Sequence, residues 1–439
     1  MPIRRRLILA AFFLLAIASA CSGTPANGGE TSAAPATAAP TPLLNAGDKW
    51  SLWANGTQLR GANIYQRRVY PELDGRDFLG PGPFGPPYTQ EDFDRLAALG
   101  ANYVNLSVAG LFTVEPPYIL DEEAQANLDR LLALAANADL FAVITFRTGP
   151  GRSEFAIIGD PDNQDDWLPD EYIIHTVWQE PQAQDAWVEM WRYTAARYAG
   201  NPVVVGYDLM CEPNSNALFD IWQPDEFAAR YAGTTYDWNQ LYPRLVAAIR
   251  AVDPQTPILI GGNGYSAPTW LAGMEALDEE RLVYTFHQYE PHRYTHQPAS
   301  FTYYYTYPGD FDADYDGDLE RVDRAWLADL LDPARLTPGG RPGSILAVNE
   351  YGLVRYAPFA ADFLRDEMQL FEQHGWNYAV WQWYPAWEPL AEGDNAFNLR
   401  FGPDPQRLYE VPLEDNNLLQ VLAEFWSQNR LRPSNFGGH

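Results

Sequence analysis

The run Val203-Val204-Val205-Gly206-Tyr207-Asp208-Leu209-Met210 leads straight into Cys211-Glu212-Pro213. It is a short, β-branched, apolar segment that ends on a carboxylate and a proline, which suits a buried strand whose last residues face a site. Ile345–Asn349, followed by Glu350-Tyr351-Gly352, repeats the design. Working outward from these two, six more segments qualify as strands: Leu59–Ile64, Asn102–Val108, Leu140–Phe146, Pro257–Gly261, Leu282–His287 and Asn377–Trp383. Amphipathic helical patterns lie between them, among them Gln90–Leu99, Asp121–Ala138, Gln184–Tyr198, Trp238–Val252 and Phe359–His374, with Asn416–Gln428 after the last strand. Strands alternating with helices predict a parallel sheet, and eight such units close into a (β/α)8 TIM barrel. An open doubly wound sheet is the alternative, but no glycine-rich dinucleotide turn follows the first strand. Two additions to the barrel are expected. One is an N-terminal hairpin over Lys49–Gly61, turning at Asn55-Gly56; the other is an acidic insertion after strand six.

Active sites of such barrels lie at the C-terminal ends of the strands. Strand four ends in Cys211-Glu212-Pro213, strand six in Phe286-His287-Gln288-Tyr289, strand seven in Asn349-Glu350-Tyr351, and strand eight in Trp381-Gln382-Trp383. Two glutamates, a histidine, a tyrosine and tryptophans are thereby expected around one mouth. Carboxylates at the ends of apolar strands are costly unless paired. A structural ion pair explains either glutamate alone; it is a poor explanation of both.

These residues, with Leu59-Arg60-Gly61-Ala62-Asn63 at strand one and Tyr289-Glu290-Pro291 through Thr295-His296-Gln297 after strand six, resemble glycoside hydrolase family 5 of clan A. The resemblance runs from about Trp50 to Trp426 and rests on the order and spacing of the motifs. It implies a retaining hydrolase of β-linked glycosides, of β-glucan or β-mannan type. It also implies the roles: Glu212 as acid/base, Glu350 as nucleophile, Tyr289 hydrogen-bonded to the nucleophile, His287 supporting the pair, and Trp383 flooring the −1 sugar site. Asn63 belongs to the same substrate-binding set. Two departures stand out. Where the family has an asparagine that contacts the sugar 2-hydroxyl, this chain has Cys211. The arginine usual at the end of strand two is absent, so Arg147 after strand three either replaces it or nothing does. Cys211 with a histidine base is the rival nucleophile.

Composition narrows the classes further. A net charge of −29 disfavours nucleic acid and anionic lipid as partners and suits a neutral polysaccharide or oligosaccharide. Lys49 is the only lysine, which excludes P-loop chemistry and argues against a Schiff-base enzyme. Arg4–Arg6, the apolar stretch Leu7–Ile17 and Ala18-Ser19-Ala20 before Cys21 form a signal peptide over 1–20 with a lipobox-like end. Cys21 is then the lipidation site, the Ala/Pro/Thr-rich 21–45 a tether, and 46–439 the barrel, exported and held at the membrane by lipid alone; the alternative is an ordinary secretory signal with a chance cysteine and a protein released as secreted. With Cys21 modified, Cys211 has no disulfide partner. A monomer is the default assembly.

Asp312, Asp314, Asp316, Gly317, Asp318, Glu320 and Asp323 fall on positions 1, 3, 5, 6, 7, 9 and 12 of an EF-hand-like calcium loop. A structural calcium ion on these aspartates is expected, while catalysis needs no cofactor. The alternative is a solvated acidic loop. At the level of the whole protein, the rival to the enzyme is a carbohydrate-binding lipoprotein on a barrel that has lost catalysis.

Overall fold

A computed structural model describes residues 47–75, 77–158, 168–299, 304–392 and 395–437. The segments expected to be a signal peptide and a tether, with Cys21, lie outside these residues. Eight strands form one closed parallel barrel: β1 (Arg60–Tyr65), β2 (Tyr103–Val108), β3 (Phe141–Phe146), β4 (Val204–Asp208), β5 (Ile258–Gly261), β6 (Leu282–Gln288), β7 (Ile345–Tyr351) and β8 (Asn377–Val380). Each strand hydrogen-bonds its neighbours in sequence, and β1 pairs with β8 to close the ring. The connecting helices are α1 (Gln90–Ala98), α2 (Glu122–Asn137), α3 (Pro181–Tyr198), α4 (Trp238–Arg250), α5 (Arg324–Leu330) and α6 (Ala360–His374), with α7 (Asn417–Trp426) after β8. Between β5 and β6 the helix shrinks to Pro268–Leu271. Among the described residues, no helix is long and apolar enough to cross a membrane.

The helices start where local chemistry lets them. Asp121 caps α2 by accepting from the Glu123 and Ala124 amides, and Asn416 caps α7 in the same way. Thr89 and Asp92 form a reciprocal capping box at α1. Their inward faces are apolar and buried against the barrel, as in Leu128, Leu131 and Ala135 of α2.

The expected N-terminal hairpin does not form. Leu59 to Gly61 joins the barrel, where β1 finds parallel partners in β2 and β8, so no edge is left for Lys49–Ala54. Ser51–Ala54 instead makes one helical turn that plugs the bottom of the barrel. Leu52 and Trp53 pack there on Tyr103, Phe141, Val205 and Leu259, and the Trp53 indole N–H donates to the Val205 carbonyl at 2.9 Å. The expected acidic insertion is present, built on an antiparallel ribbon of Gly309–Phe311 with Glu320–Val322.

Above the apolar plug the barrel interior turns polar. Asn105 donates to Asn63 Oδ1 at 2.7 Å and Thr145 to Asn105 Oδ1 at 2.5 Å. Thr145 Oγ1 also lies 3.2 Å from Asp208 Oδ2, which accepts from Asn349 Nδ2 at 2.6 Å. Asn63 Nδ2 closes the circuit on the Asn349 carbonyl at 3.0 Å. The circuit threads β1, β2, β3, β4 and β7. Asn349 sits where β7 slips register against both β6 and β8, so the bulge that aims Glu350 is tied directly to β4.

Candidate active site

Glu212 and Glu350 meet at the barrel mouth with His287 between them. His287 Nδ1 is 2.9 Å from Glu212 Oε1 and 3.3 Å from Glu350 Oε2, and one ligand-type atom from each of the three lies within 4.8 Å of the others. Glu350 is the deeper carboxylate, its side chain 3% exposed against 15% for Glu212. Tyr289 Oη donates to Glu350 Oε2 at 3.1 Å, and the Cys211 thiol donates to Oε1 at 3.6 Å. The Tyr289 ring is held edge-on by His296 and Phe397.

Two buried arginines organise the other side. Arg147 pairs with Glu154 at 2.8 Å, donates to Cys211 Sγ at 3.4 Å and reaches Glu350 Oε1 at 4.0 Å. Its guanidinium faces the rings of Tyr65 and Trp381 at 4.9 and 5.3 Å. Arg152 binds backbone instead: it donates to the carbonyls of Arg147, Cys211 and Glu212 at 2.8, 2.7 and 2.6 Å. That grip holds Glu212 at φ +53°, a left-handed conformation that only surrounding contacts maintain in a glutamate.

The charges are coupled. Burial raises Glu350 above the usual carboxylate range, with His287 opposing and the charge of Glu212 adding to the rise. Burial also acts to raise Glu212, but its hydrogen bond to His287 together with the charges of His287, Arg147 and Arg152 outweighs that and leaves it low. Burial pulls His287 down, yet Glu350 and then Glu212 lift it above its ordinary value. With His287 within hydrogen-bond reach of both carboxyls, the three groups titrate as a unit. Burial holds the Cys211 thiol well above its usual value despite Arg147, so the sulfur is protonated.

Glu212, Glu350, His287, Tyr289, Cys211 and Arg147 thus converge as the sequence suggested. Two expected contact residues do not join them. Asn63 is fully buried in the polar circuit, its amide spent on Asn349 and Asn105. Trp383 is also buried, with its indole N–H on the Asp92 carbonyl at 2.9 Å and Arg400 over its ring. The reason is the strand end: β8 stops at Val380, three residues before the sequence boundary, so Trp381 is the tryptophan at the mouth. Its amide bonds the Tyr351 carbonyl at 2.7 Å and its ring packs on Tyr65. Arg152 and Glu154 were missed by sequence reasoning; the close run Arg147, Arg152, Glu154 after an apolar strand was the available signal.

The acidic insertion is arranged differently from a twelve-position calcium loop. Asp312, Asp314 and Glu320 come together, with ligand-type oxygens within 4.8 Å of one another. Asp323 instead caps α5 by accepting from the Ala325 and Trp326 amides. Asp314 and Asp316 accept from the amides of Asp316 and Asp318 within the loop. Asp312 is already paired with Arg293 at 3.0 Å.

Fold and site together are those of the barrel glycoside hydrolases. The profile of cellulase, glycosyl hydrolase family 5, matches residues 61–386, and the chain belongs to that family. It is 25% identical to Endoglucanase C of Acetivibrio thermocellus over 216 residues, 49% of this chain and 54% of that protein. The match thus spans about half the length of this curated relative. Among solved structures, a glycoside hydrolase superposes with a TM-score of 0.58 at 21% identity, covering 84% of this chain and 99% of the other. Endoglucanase Cel5A from the hyperthermophilic Thermotoga maritima superposes at 0.54 and 17% identity, covering 85% and 99%.

Asp208, beneath the pair, yields a pH test. Burial pushes its carboxyl up to about 7, against the opposing influence of His287 and Thr145. A folded value above the unfolded one means that the native state holds a proton the unfolded chain releases between pH 4 and 7. Stability is therefore lost as pH rises through that window, on the order of a few kcal/mol. Asp208→Asn removes the titration, so its melting temperature relative to the parent should climb from pH 4 to pH 8. Parallel melting curves across that range would exclude a neutral Asp208.

Proposed function

We propose that this protein is a retaining glycoside hydrolase of β-linked polysaccharide or oligosaccharide, of β-glucan or β-mannan type. The observation that carries the reading is the close approach of Glu212 and Glu350. Retention needs two carboxyls about 5–5.5 Å apart, whereas inversion leaves a gap of about 6.5–9.5 Å for water. Glu350, buried and surrounded by Tyr289, Cys211, His287 and Arg147, is the positioned nucleophile. Glu212, more exposed and bonded through one oxygen to His287, is the acid that meets the leaving oxygen.

In the first step a Glu350 oxygen bonds the anomeric carbon as the glycosidic C–O bond breaks. For this step Glu350 is the carboxylate and Glu212 carries the proton, which passes to the leaving oxygen. Glycosylation removes the charge of Glu350, and Glu212, now a carboxylate, accepts a proton from the water that attacks the same carbon and releases Glu350. No cofactor enters this sequence. A protonated Cys211 is a poor nucleophile and acts as a donor to Glu350. Trp381, at the mouth beside Tyr65 and Arg147, supports the role of sugar floor that the sequence assigned to Trp383. A non-catalytic carbohydrate-binding barrel is the competing reading, and turnover decides between them.

On an activated aryl β-glycoside, Glu350→Ala should lose about 10⁴-fold or more in kcat, since no covalent intermediate can form. Cys211→Ala should lose about tenfold or less, because a thiol is a weak donor. Azide should restore turnover to Glu212→Ala, and NMR of the first product should show the retained anomer. Near-normal turnover by Glu350→Ala, or an inverted product, would overturn the mechanism.

We further propose export with lipid on Cys21: Cys21→Ser should move the protein from the membrane fraction to the soluble one. A parent protein already found wholly in the medium would refute the anchor.

We also propose that Asp312, Asp314 and Glu320 hold a structural calcium ion, supported by the buried Asp312 Oδ1 that has no hydrogen-bond partner. A cation bound only by the folded state raises its stability. Chelation should lower the melting temperature of the parent and leave that of Asp314→Asn unchanged; equal curves for the parent with and without chelator would dismiss the ion.

A further inference from the structure

Glu154 is a buried carboxylate beside the site that takes no part in the reaction steps above. It stands in the loop that leaves β3, one residue before the helical turn Phe155–Ile158. Three contacts fix the loop there. Gly149 and Arg152 exchange amide and carbonyl bonds at 3.0 and 2.9 Å. The Ser153 amide donates to the Ile174 carbonyl at 2.9 Å. The ring of Phe155 is fully buried, with Tyr70 and Tyr172 against it. The Glu154 side chain, 2% exposed, is thereby brought onto the equally buried Arg147.

One oxygen makes its hydrogen bonds. Glu154 Oε1 accepts from Arg147 Nε at 2.8 Å and from the Tyr65 hydroxyl at 3.1 Å, while the buried Oε2 has no hydrogen-bond partner. Two carboxylates therefore compete for one guanidinium. Arg147 lies 2.8 Å from Glu154 but 4.0 Å from Glu350. Cys211 Sγ is in reach of both sides, 3.4 Å from Arg147 Nη1 and 3.6 Å from Glu350 Oε1. The rings of Tyr65 and Trp381 flank the guanidinium at 4.9 and 5.3 Å. An arginine free to pair with a buried carboxylate closes to about 2.7–2.9 Å. The longer gap to Glu350 is what the grip of Glu154 leaves.

We propose that Glu154 is a positioning residue for the hydrolysis: it holds Arg147 back and cancels its charge, so that Glu350 keeps the electron pair it gives to the anomeric carbon. The inference rests on Glu350 as the nucleophile. A nucleophilic carboxylate loses its charge as the new C–O bond forms. A cation in direct contact with it would stabilise the free enzyme more than the transition state and slow that step. The other groups that face Glu350 are Asp208, Cys211 and Glu212 from β4 and its end, with His287 and Tyr289 from β6 and its end. Besides Arg147, Glu154 is faced by Tyr65, Arg67, Tyr70 and Arg152. Glu154→Gln leaves all of these in the chain and takes away one negative charge beside Arg147.

The test reads that charge. Carbon-13 NMR of the glutamate carboxyls follows the ionisation of Glu350, its signal assigned by its loss in Glu350→Gln. In Glu154→Gln the uncompensated cation favours the Glu350 carboxylate, so the midpoint should fall by about one pH unit. On 4-nitrophenyl β-cellobioside or β-mannobioside, the acid limb of kcat/KM should move down with it and kcat should fall about tenfold. Glu154→Asp, which keeps the charge, and Arg147→Met with Glu154→Gln, which removes both, should each keep the midpoint within about 0.3 unit of the parent. Arg147→Met alone should raise it by about one unit, which gives the same reading if Glu154→Gln fails to fold. A midpoint that stays or rises in Glu154→Gln, or that stays in Arg147→Met, would overturn the restraint. A rate loss in Glu154→Gln with an unmoved midpoint would do the same, since a merely structural role predicts it. If the midpoints move as expected in a protein that cleaves no glycoside, the restraint on Arg147 stands and the hydrolase reading fails.

Discussion

The constraint on which the rest depends is the closed hydrogen-bond circuit inside the barrel, Asn63–Asn105–Thr145–Asp208–Asn349. A parallel barrel of this size is usually filled with branched apolar side chains, and here that filling gives way above the Trp53 plug to polar side chains. The polar layer ties β4 to β7 through a single 2.6 Å contact between Asp208 and Asn349. Those strands carry the two glutamates, so their separation is set from below by side-chain geometry as well as by the sheet. The circuit is not fully satisfied, since Asp208 Oδ1 and Asn349 Oδ1 have no hydrogen-bond partner. Polar groups buried this way are tolerated where they specify an arrangement that apolar packing would leave loose.

Charge is organised on the same principle. The protein is strongly acidic, yet the groups next to Glu212 and Glu350 include the buried guanidiniums of Arg147 and Arg152. Arg147 is compensated by Glu154 before it reaches Glu350, so it biases that carboxylate without locking it into a short ion pair. His287 bridges both carboxylates at comparable distances, which makes three groups one titrating unit. A cysteine at position 211 fits that setting: it contributes a neutral, weakly donating sulfur where a charged neighbour would shift the balance.

The barrel was legible in the sequence because each strand is a short apolar run with a polar or turn residue at its end, and this pattern survives errors of a residue or two. Glu212, His287, Tyr289 and Glu350 were legible for the same reason. Where one residue decided the outcome, the pattern failed. Trp381 and Trp383 differ only in where β8 stops, and that is fixed by pairing with β1 and β7, which no local signal reveals. Asn63 stands on a strand end, but whether it faces the mouth or the interior depends on partners on β2 and β7. The Asn55-Gly56 turn was real in its dihedral demand, with Gly56 at φ +78°. Competition for strand partners, rather than turn chemistry, decided against the hairpin. In the acidic insertion the spacing matched a ligand pattern, but Asp323 is equally suited to capping a helix, and the start of α5 claims it.

The grip of Arg152 has a consequence for tolerance. It holds the loop of Glu212 by main-chain oxygens, which every amino acid possesses, and so the placement of Glu212 does not depend on which side chain precedes it. Position 211 can therefore carry an amide or a thiol without dislodging Glu212.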